Sequence, residues 1–260
     1  MDEYFPIGHR AVSRVSLAVL LLDDLTGRQI TGSNARAWIE KEKPPIQKND
    51  GWFVFTDLRP GSYTVNAEGG RFLMSATQVT VTGEEMKMMT VRLRPGRVYP
   101  VPAGCLRVEG RAEPGALVTI VNCHRSAAYK LLTDCREGDR FLSVFHPEGV
   151  RLDGRGFRLT GGDGGSEDVF LSTAADPDCR NGCYQLSEPV RYSHSRIGSL
   201  LMPAYTAQTD ESGRFFMILG AGAASSKLIC EAVGSSSVTR EYEKIDPECF
   251  RPDLTEPDQS

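Results

Sequence analysis

The residues most capable of chemistry cluster in the middle of the chain: Cys123-His124, Cys135, Cys179, Cys183 and His194. Thiolate and imidazole are the ligands zinc prefers, and a closed tetrahedral site needs four of them. The loop Cys179-Arg180-Asn181-Gly182-Cys183 contains two turn formers, so both sulfurs can reach one ion. With Cys123 and His124 they make a candidate structural zinc site, which would staple an irregular segment in place of a core. No second pair has comparable spacing. A Cys179–Cys183 disulfide and ordinary buried or surface thiols therefore stay open, and plain thiols are the default. No other cofactor is expected.

Other motifs point to less. Asp176-Pro177-Asp178 with Asn181-Gly182 has the composition of a calcium loop, but Glu188 falls one position late for the closing bidentate ligand. Gly161 to Gly165 offers backbone amides to an anion, and Asp163, Glu167 and Asp168 repel one. There is no Gly-x-x-x-x-Gly-Lys-Ser/Thr loop, no His-Glu-x-x-His and no Gly-x-Ser-x-Gly elbow. The expectation is a protein that is not an enzyme. Trp38, Trp52, Phe53, Phe55 and Tyr63 pack a core by default and otherwise line a carbohydrate-binding face. Met86-Lys87-Met88-Met89 is adaptable surface of the kind found at protein contacts, or a sheet-packing segment. Trp38, Trp52, Met86 and Met88 are the interaction candidates.

The elements that position these residues are read from the whole chain of 260 residues. Its net charge of −4 lacks the basic footprint of a nucleic-acid binder. Gly 26 and Pro 15 make it turn-rich, and 40% hydrophobic residues suffice for a core. Met1-Asp2-Glu3 has no basic leader, and Val15 to Leu22 is too short to span a bilayer. A cytoplasmic protein without a membrane span is expected, and 7 cysteines at irregular spacing agree with a reducing compartment.

Val15–Leu22, Ala35–Glu40, Trp52–Phe55, Tyr63–Val65, Ala76–Thr82 and Met88–Leu93 read as strands between turn signals such as Asp50-Gly51 and Pro60-Gly61. Arg94 to Pro102 reads as a stiff connector with three prolines. Beyond it, Leu106–Gly110, Ala116–Val121, Arg214–Leu219 and Lys227–Val233 are strand-like. Asp210 through Gly213 before Phe215-Phe216-Met217 echoes Asp50-Gly51 before Trp52-Phe53-Val54-Phe55. The expected fold is all-β: two tandem antiparallel β-sandwiches, Ig-like or transthyretin-like, at 1–95 and 104–246. A connector joins them at 96–103, an insertion spans 124–205, and an extended tail runs over 247–260.

The segment Lys48-Asn49-Asp50-Gly51-Trp52-Phe53-Val54-Phe55, followed by Leu58-Arg59-Pro60-Gly61-Ser62-Tyr63-Thr64-Val65, resembles the carboxypeptidase-regulatory-like (transthyretin-like or prealbumin-like) domains. Asp24 to Ile30 is similar to that family's first turn. The second unit is similar through Glu113–Val118 and Thr209–Met217, and departs in its insertion and in lacking a Leu-x-Pro-Gly-x-Tyr turn. The resemblance implies a non-catalytic module that mediates protein–protein assembly, in a bacterial contractile-tail-like or other multi-subunit particle, with a homo-oligomer as one form. The alternative is a surface or secreted module that binds a glycan or other ligand.

Overall fold

The computed structural model describes residues 13–32, 35–148, 150–162, 165–173, 182–225, 227–243, 245 and 250–255. The protein is all-β. Among the described residues, no helix is long and apolar enough to cross a membrane.

The first seven strands are β1 (Val15–Asp23), β2 (Ala35–Ile39), β3 (Ile46–Gln47), β4 (Trp52–Thr56), β5 (Gly61–Gly69), β6 (Ser75–Val81) and β7 (Lys87–Leu93). They form two sheets, β3-β4-β1-β7 and β2-β5-β6. The continuous apolar run of β1 is explained by its place. It pairs with β4 antiparallel and β7 parallel, and it is buried on both faces from Ser16 onward. Leu17, Val19 and Leu21 meet Phe53, Phe55 and Val65 in a core between the sheets. At the turn into β4, Gly51 has φ 80°, and a Cβ there would stand 2.6 Å from Gln29 Nε2. After β4, the Tyr63 hydroxyl donates to the Arg59 carbonyl at 2.8 Å, which fastens the Leu58 to Tyr63 turn.

The later strands are β8 (Leu106–Ala112), β9 (Leu117–Asn122), β10 (Tyr129–Leu131), β11 (Phe141–Phe145), β12 (Gly156–Thr160), β13 (Ser166–Phe170), β14 (Cys183–Gln185), β15 (Leu200–Gln208), β16 (Arg214–Leu219), β17 (Leu228–Val233), β18 (Ser237–Tyr242) and β19 (Asp253–Leu254). Strand β8 repeats the role of β1, pairing antiparallel with β16 and parallel with β19. Across from them lie β15, β9, β17 and β18 in that order. Val108, Ile120, Phe215, Cys230 and Leu254 fill the space between. The Asp210–Gly213 turn thus launches β16 onto β8 as Asp50-Gly51 launches β4 onto β1.

Two expectations are corrected here. The segment 247–260 is not a free tail throughout. Phe250 bridges Val108, the Pro252 carbonyl accepts from the Arg111 amide at 3.0 Å, and Leu254 is buried beside β8. The connector over 96–103 is not an extended spacer either. The Gly96 amide donates back to Arg71, and Tyr99 is buried with its hydroxyl on Asp23 Oδ2 at 2.6 Å. Burial outweighs the extended preference of the prolines: Leu25, Phe72, Tyr99 and Ile218 form a small core of their own.

The segment between β9 and β16 is a folded unit. Strand β15 pairs with β12 and β10, β12 with β13, β10 with β11, and β11 with β14. Leu171 bridges Leu186, and Ser172 and Ser187 donate across the same gap at 2.7 and 2.9 Å. These pairings close a ring of strands, β15-β12-β13-β14-β11-β10. Inward positions on every strand fill its interior, among them Leu131, Leu142, Phe157, Val169, Tyr184 and Leu201, as in small barrels whose cores are packed rather than open.

The first sandwich grips this barrel through β7. Arg92, its side chain 7% exposed, donates from Nε to the Asp153 carbonyl at 2.5 Å and from Nη2 to the Arg151 carbonyl. Its Nη1 lies 3.4 Å from Asp24 Oδ1. The Arg151 amide donates to the Gly27 carbonyl, and the Thr90 amide to Thr173.

Burial also predicts an alkaline weakness. Desolvation raises the Cys230 thiol from its ordinary 9.0 to about 12. The neutral thiol is favoured by the fold, so this stabilisation is complete below pH 9 and is lost as pH rises toward 12. In urea titrations, the stability advantage of the wild type over Cys230→Val should shrink above pH 9. A difference independent of pH would contradict this.

Candidate functional site

The zinc candidates are not assembled among the described residues. Cys123 follows directly after β9, with its sulfur 3.9 Å from the Val121 carbonyl. The His124 Nδ1 meets Ser126 Oγ at 2.6 Å, and the ring lies against Gly222. Cys183 sits on β14, with β11, β10 and β15 between it and β9 in the pairing order. Cys179 and the calcium-like Asp176–Asn181 stretch lie outside the described residues, as do Asp163 and Gly164 of the glycine loop. No group of three or more His, Cys, Asp or Glu among the described residues is placed to hold a metal.

Cys135 and His194 do meet, through an antiparallel bridge with hydrogen bonds of 2.9 and 2.8 Å between their backbones. His194 Nε2 lies 2.9 Å from Glu167 Oε1, and both side chains are buried. Glu167 also accepts the amides of Arg191 at 2.8 Å and Tyr192 at 3.1 Å. This carboxylate ties the segment after Val190 to β13, a packing role. Desolvation raises the Cys135 thiol above its ordinary value, which makes it a poor nucleophile.

The interaction candidates are dispersed. Trp38 is on β2 and Trp52 on β4, which belong to different sheets. Trp38 is occupied by Arg36, 5.0 Å over its ring, and by Glu40, which accepts its indole N–H at 2.9 Å. Met86 is exposed in the turn before β7, and Met88 is half-buried on that strand. The aromatic residues therefore build no common platform for a sugar.

Two other features emerge. Outside the barrel, Phe141, Phe145 and Phe170 are 48%, 63% and 49% exposed. Each alternates with inward residues: β11 reads exposed at Phe141 and Phe145 and buried at Leu142 and Val144. The second feature is a cavity of about 450 Å³ where the barrel mouth meets β15, the turn after β16 and the Leu25 turn. Tyr129, Phe145, Pro203 and the backbone at Gly220 and Ala221 line it. Arg155 reaches it from just before β12, at 6% exposure. It shares the inward face with Phe157 and Leu159, and the register of β12 on β15 sets it opposite Tyr205.

Arg155 Nη2 donates to Tyr205 Oη at 2.8 Å, and the Gly220 amide donates to the same oxygen at 2.9 Å. The guanidinium also stacks 5.1 Å from the Tyr205 ring and 5.8 Å from that of Phe157. Desolvation raises the Tyr205 phenol above its ordinary value, so it keeps its proton. Gly220 is required at this contact: a Cβ there would stand 2.6 Å from the hydroxyl. Neither Arg155 nor Tyr205 is among the residues singled out by the sequence reading. The available signal was a charged residue in phase with Phe157 and Leu159.

Fold and site together define an all-β protein of paired, mostly antiparallel sheets with a closed barrel set into the second pair. No protein-family model and no curated protein matches the chain. Among solved structures, the TIE protein of Bacillus anthracis is similar at 10% identity, with a TM-score of 0.24, over 94% of this chain. The chain spans 51% of that protein, and a score so low carries no argument about function.

Proposed function

We propose that the chain is a non-catalytic docking module that joins a protein partner in a multi-subunit bacterial particle assembled in the cytoplasm. The observation that supports it is the outward aromatic set Phe141, Phe145 and Phe170 on a barrel whose interior is already filled. Aromatic side chains offer large contact area at low entropic cost and are enriched at interface cores. Their exposure costs solubility unless a partner covers them. The resemblance of the first unit to carboxypeptidase-regulatory-like modules agrees with a supporting rather than chemical task, and its sandwich serves as the anchor.

The test is sedimentation of the protein from its native source. The wild type should travel in a complex heavier than a single chain. Phe141→Ser with Phe170→Ser should release it as a folded monomer. A wild type that sediments as a monomer contradicts the proposal, as does a variant that stays in the complex.

A further inference from the structure

The cavity at the barrel mouth contains more unused hydrogen-bonding capacity than packing requires. A guanidinium carries five N–H donors, and one hydrogen bond is found for that of Arg155 among the described residues, to a neutral phenol. Buried arginines normally face carboxylates, because an uncompensated buried charge is expensive. The carboxylate nearest in influence, Asp24, is paired with Arg92 instead. Tyr205 Oη already accepts two N–H donors, so its own hydrogen remains to be given. Both free donor sets belong to side chains that line the same cavity.

We propose that this cavity is a binding site for a carboxylate attached to an apolar body, the carboxylate held by Arg155 and the Tyr205 hydroxyl. A carboxylate is acceptor-only and planar, and it matches the guanidinium fork with two parallel hydrogen bonds. The tyrosine O–H supplies a further donor without adding charge. The body of the ligand lies along Pro203 and the exposed Phe145 ring, with Lys130 at the rim. The volume is in the range of small-molecule sites, which favour the mouths of barrels. Gly220, in the turn after β16, and Leu25, from the first sandwich, close the site, so it exists only where three parts of the chain meet. The proposal does not rest on the docking reading: of the outward aromatic set only Phe145 borders the cavity, and Phe141 and Phe170 stand outside it.

Binding is measured by calorimetry on the full chain with four probes: 3-phenylpropanoate, its neutral amide, inorganic phosphate, and a blocked peptide ending in a free phenylalanine carboxylate. The acid should bind, and the amide and phosphate should bind at least about tenfold more weakly, the loss expected for a charge-assisted pair. Binding of the peptide but not the small acid would support the same chemistry and assign the carboxylate to a polypeptide terminus. Arg155→Met should reduce binding of whichever acid binds by about tenfold or more. Should that variant fail to fold, Tyr205→Phe and the surface change Phe145→Ala should each weaken the acid. The proposal is overturned if the acid binds but its amide binds as well, if phosphate binds as well as whichever acid binds, or if none of the four binds at millimolar concentration.

Discussion

Replacing Phe157 with alanine should lower the stability of the protein by about 3–5 kcal/mol, the usual cost of removing a large aromatic from a core that cannot collapse. Phe157 is fully buried in the barrel. It sits on β12, which is hydrogen-bonded on both sides, to β13 and to β15. Neither neighbour can move inward without breaking a ladder. Its ring meets Tyr129 edge-on, with centroids 5.6 Å apart, and supports the Arg155 guanidinium. The interior of this barrel is a separate cluster from the cores of the two sandwiches. The damage should therefore appear first as barrel opening, with dye binding and lost amide protection over β10, β11, β12, β13, β14 and β15. Urea titration with hydrogen exchange checks this. A loss under about 1 kcal/mol would mean the barrel interior is not the packed core described here.

Replacing Arg92 with methionine should cost about 3 kcal/mol, in the range for breaking a buried, hydrogen-bonded charge. Methionine keeps much of the stem and removes every donor. The carbonyls of Asp153 and Arg151 lose the N–H groups that Arg92 supplies, and Asp24 loses its cation. These are the bonds that fix β7 of the first sandwich to the turn leading into β12. Two backbone links, Arg151 to Gly27 and Thr90 to Thr173, require the same docking. The expected result is a looser junction, seen as new protease cleavage near residues 94–104 while Phe53 and Phe55 remain protected in their own core. Unchanged stability and an unchanged cleavage pattern would refute the clamp.

Much of the fold was legible because local signals and tertiary demands agree. The apolar run Val15–Leu22 marked β1 as a strand, and Trp52–Phe55, apolar on consecutive positions, marked β4 as a central one. Asp50-Gly51 and Asp210–Gly213 marked the turns that feed β4 and β16, and Gly51 and Gly213 do adopt positive φ. What escaped was non-local. Strand β19 is two residues long, with Pro252 just before it, so Phe250 and Leu254 carry no periodic signature. Strands β10 and β14 are three residues each. Their membership in the barrel follows from ring closure at Leu171 and Leu186, which no window of sequence contains. The cysteines drew attention by type, yet desolvation raises the thiols of half-buried Cys105 and Cys123 and of buried Cys135, which leaves them poor nucleophiles. Arg155 drew none, although its phase with Phe157 and Leu159 placed a charge toward the interior of a hairpin.

The docking claim is tested most directly by placing a photo-crosslinking amino acid at position 141 in the native host, with position 38 as the control. One discrete adduct with a defined protein is expected from position 141 and none from position 38, where Arg36 and Glu40 already occupy the tryptophan. No adduct at 141, or the same adduct from both positions, would contradict it.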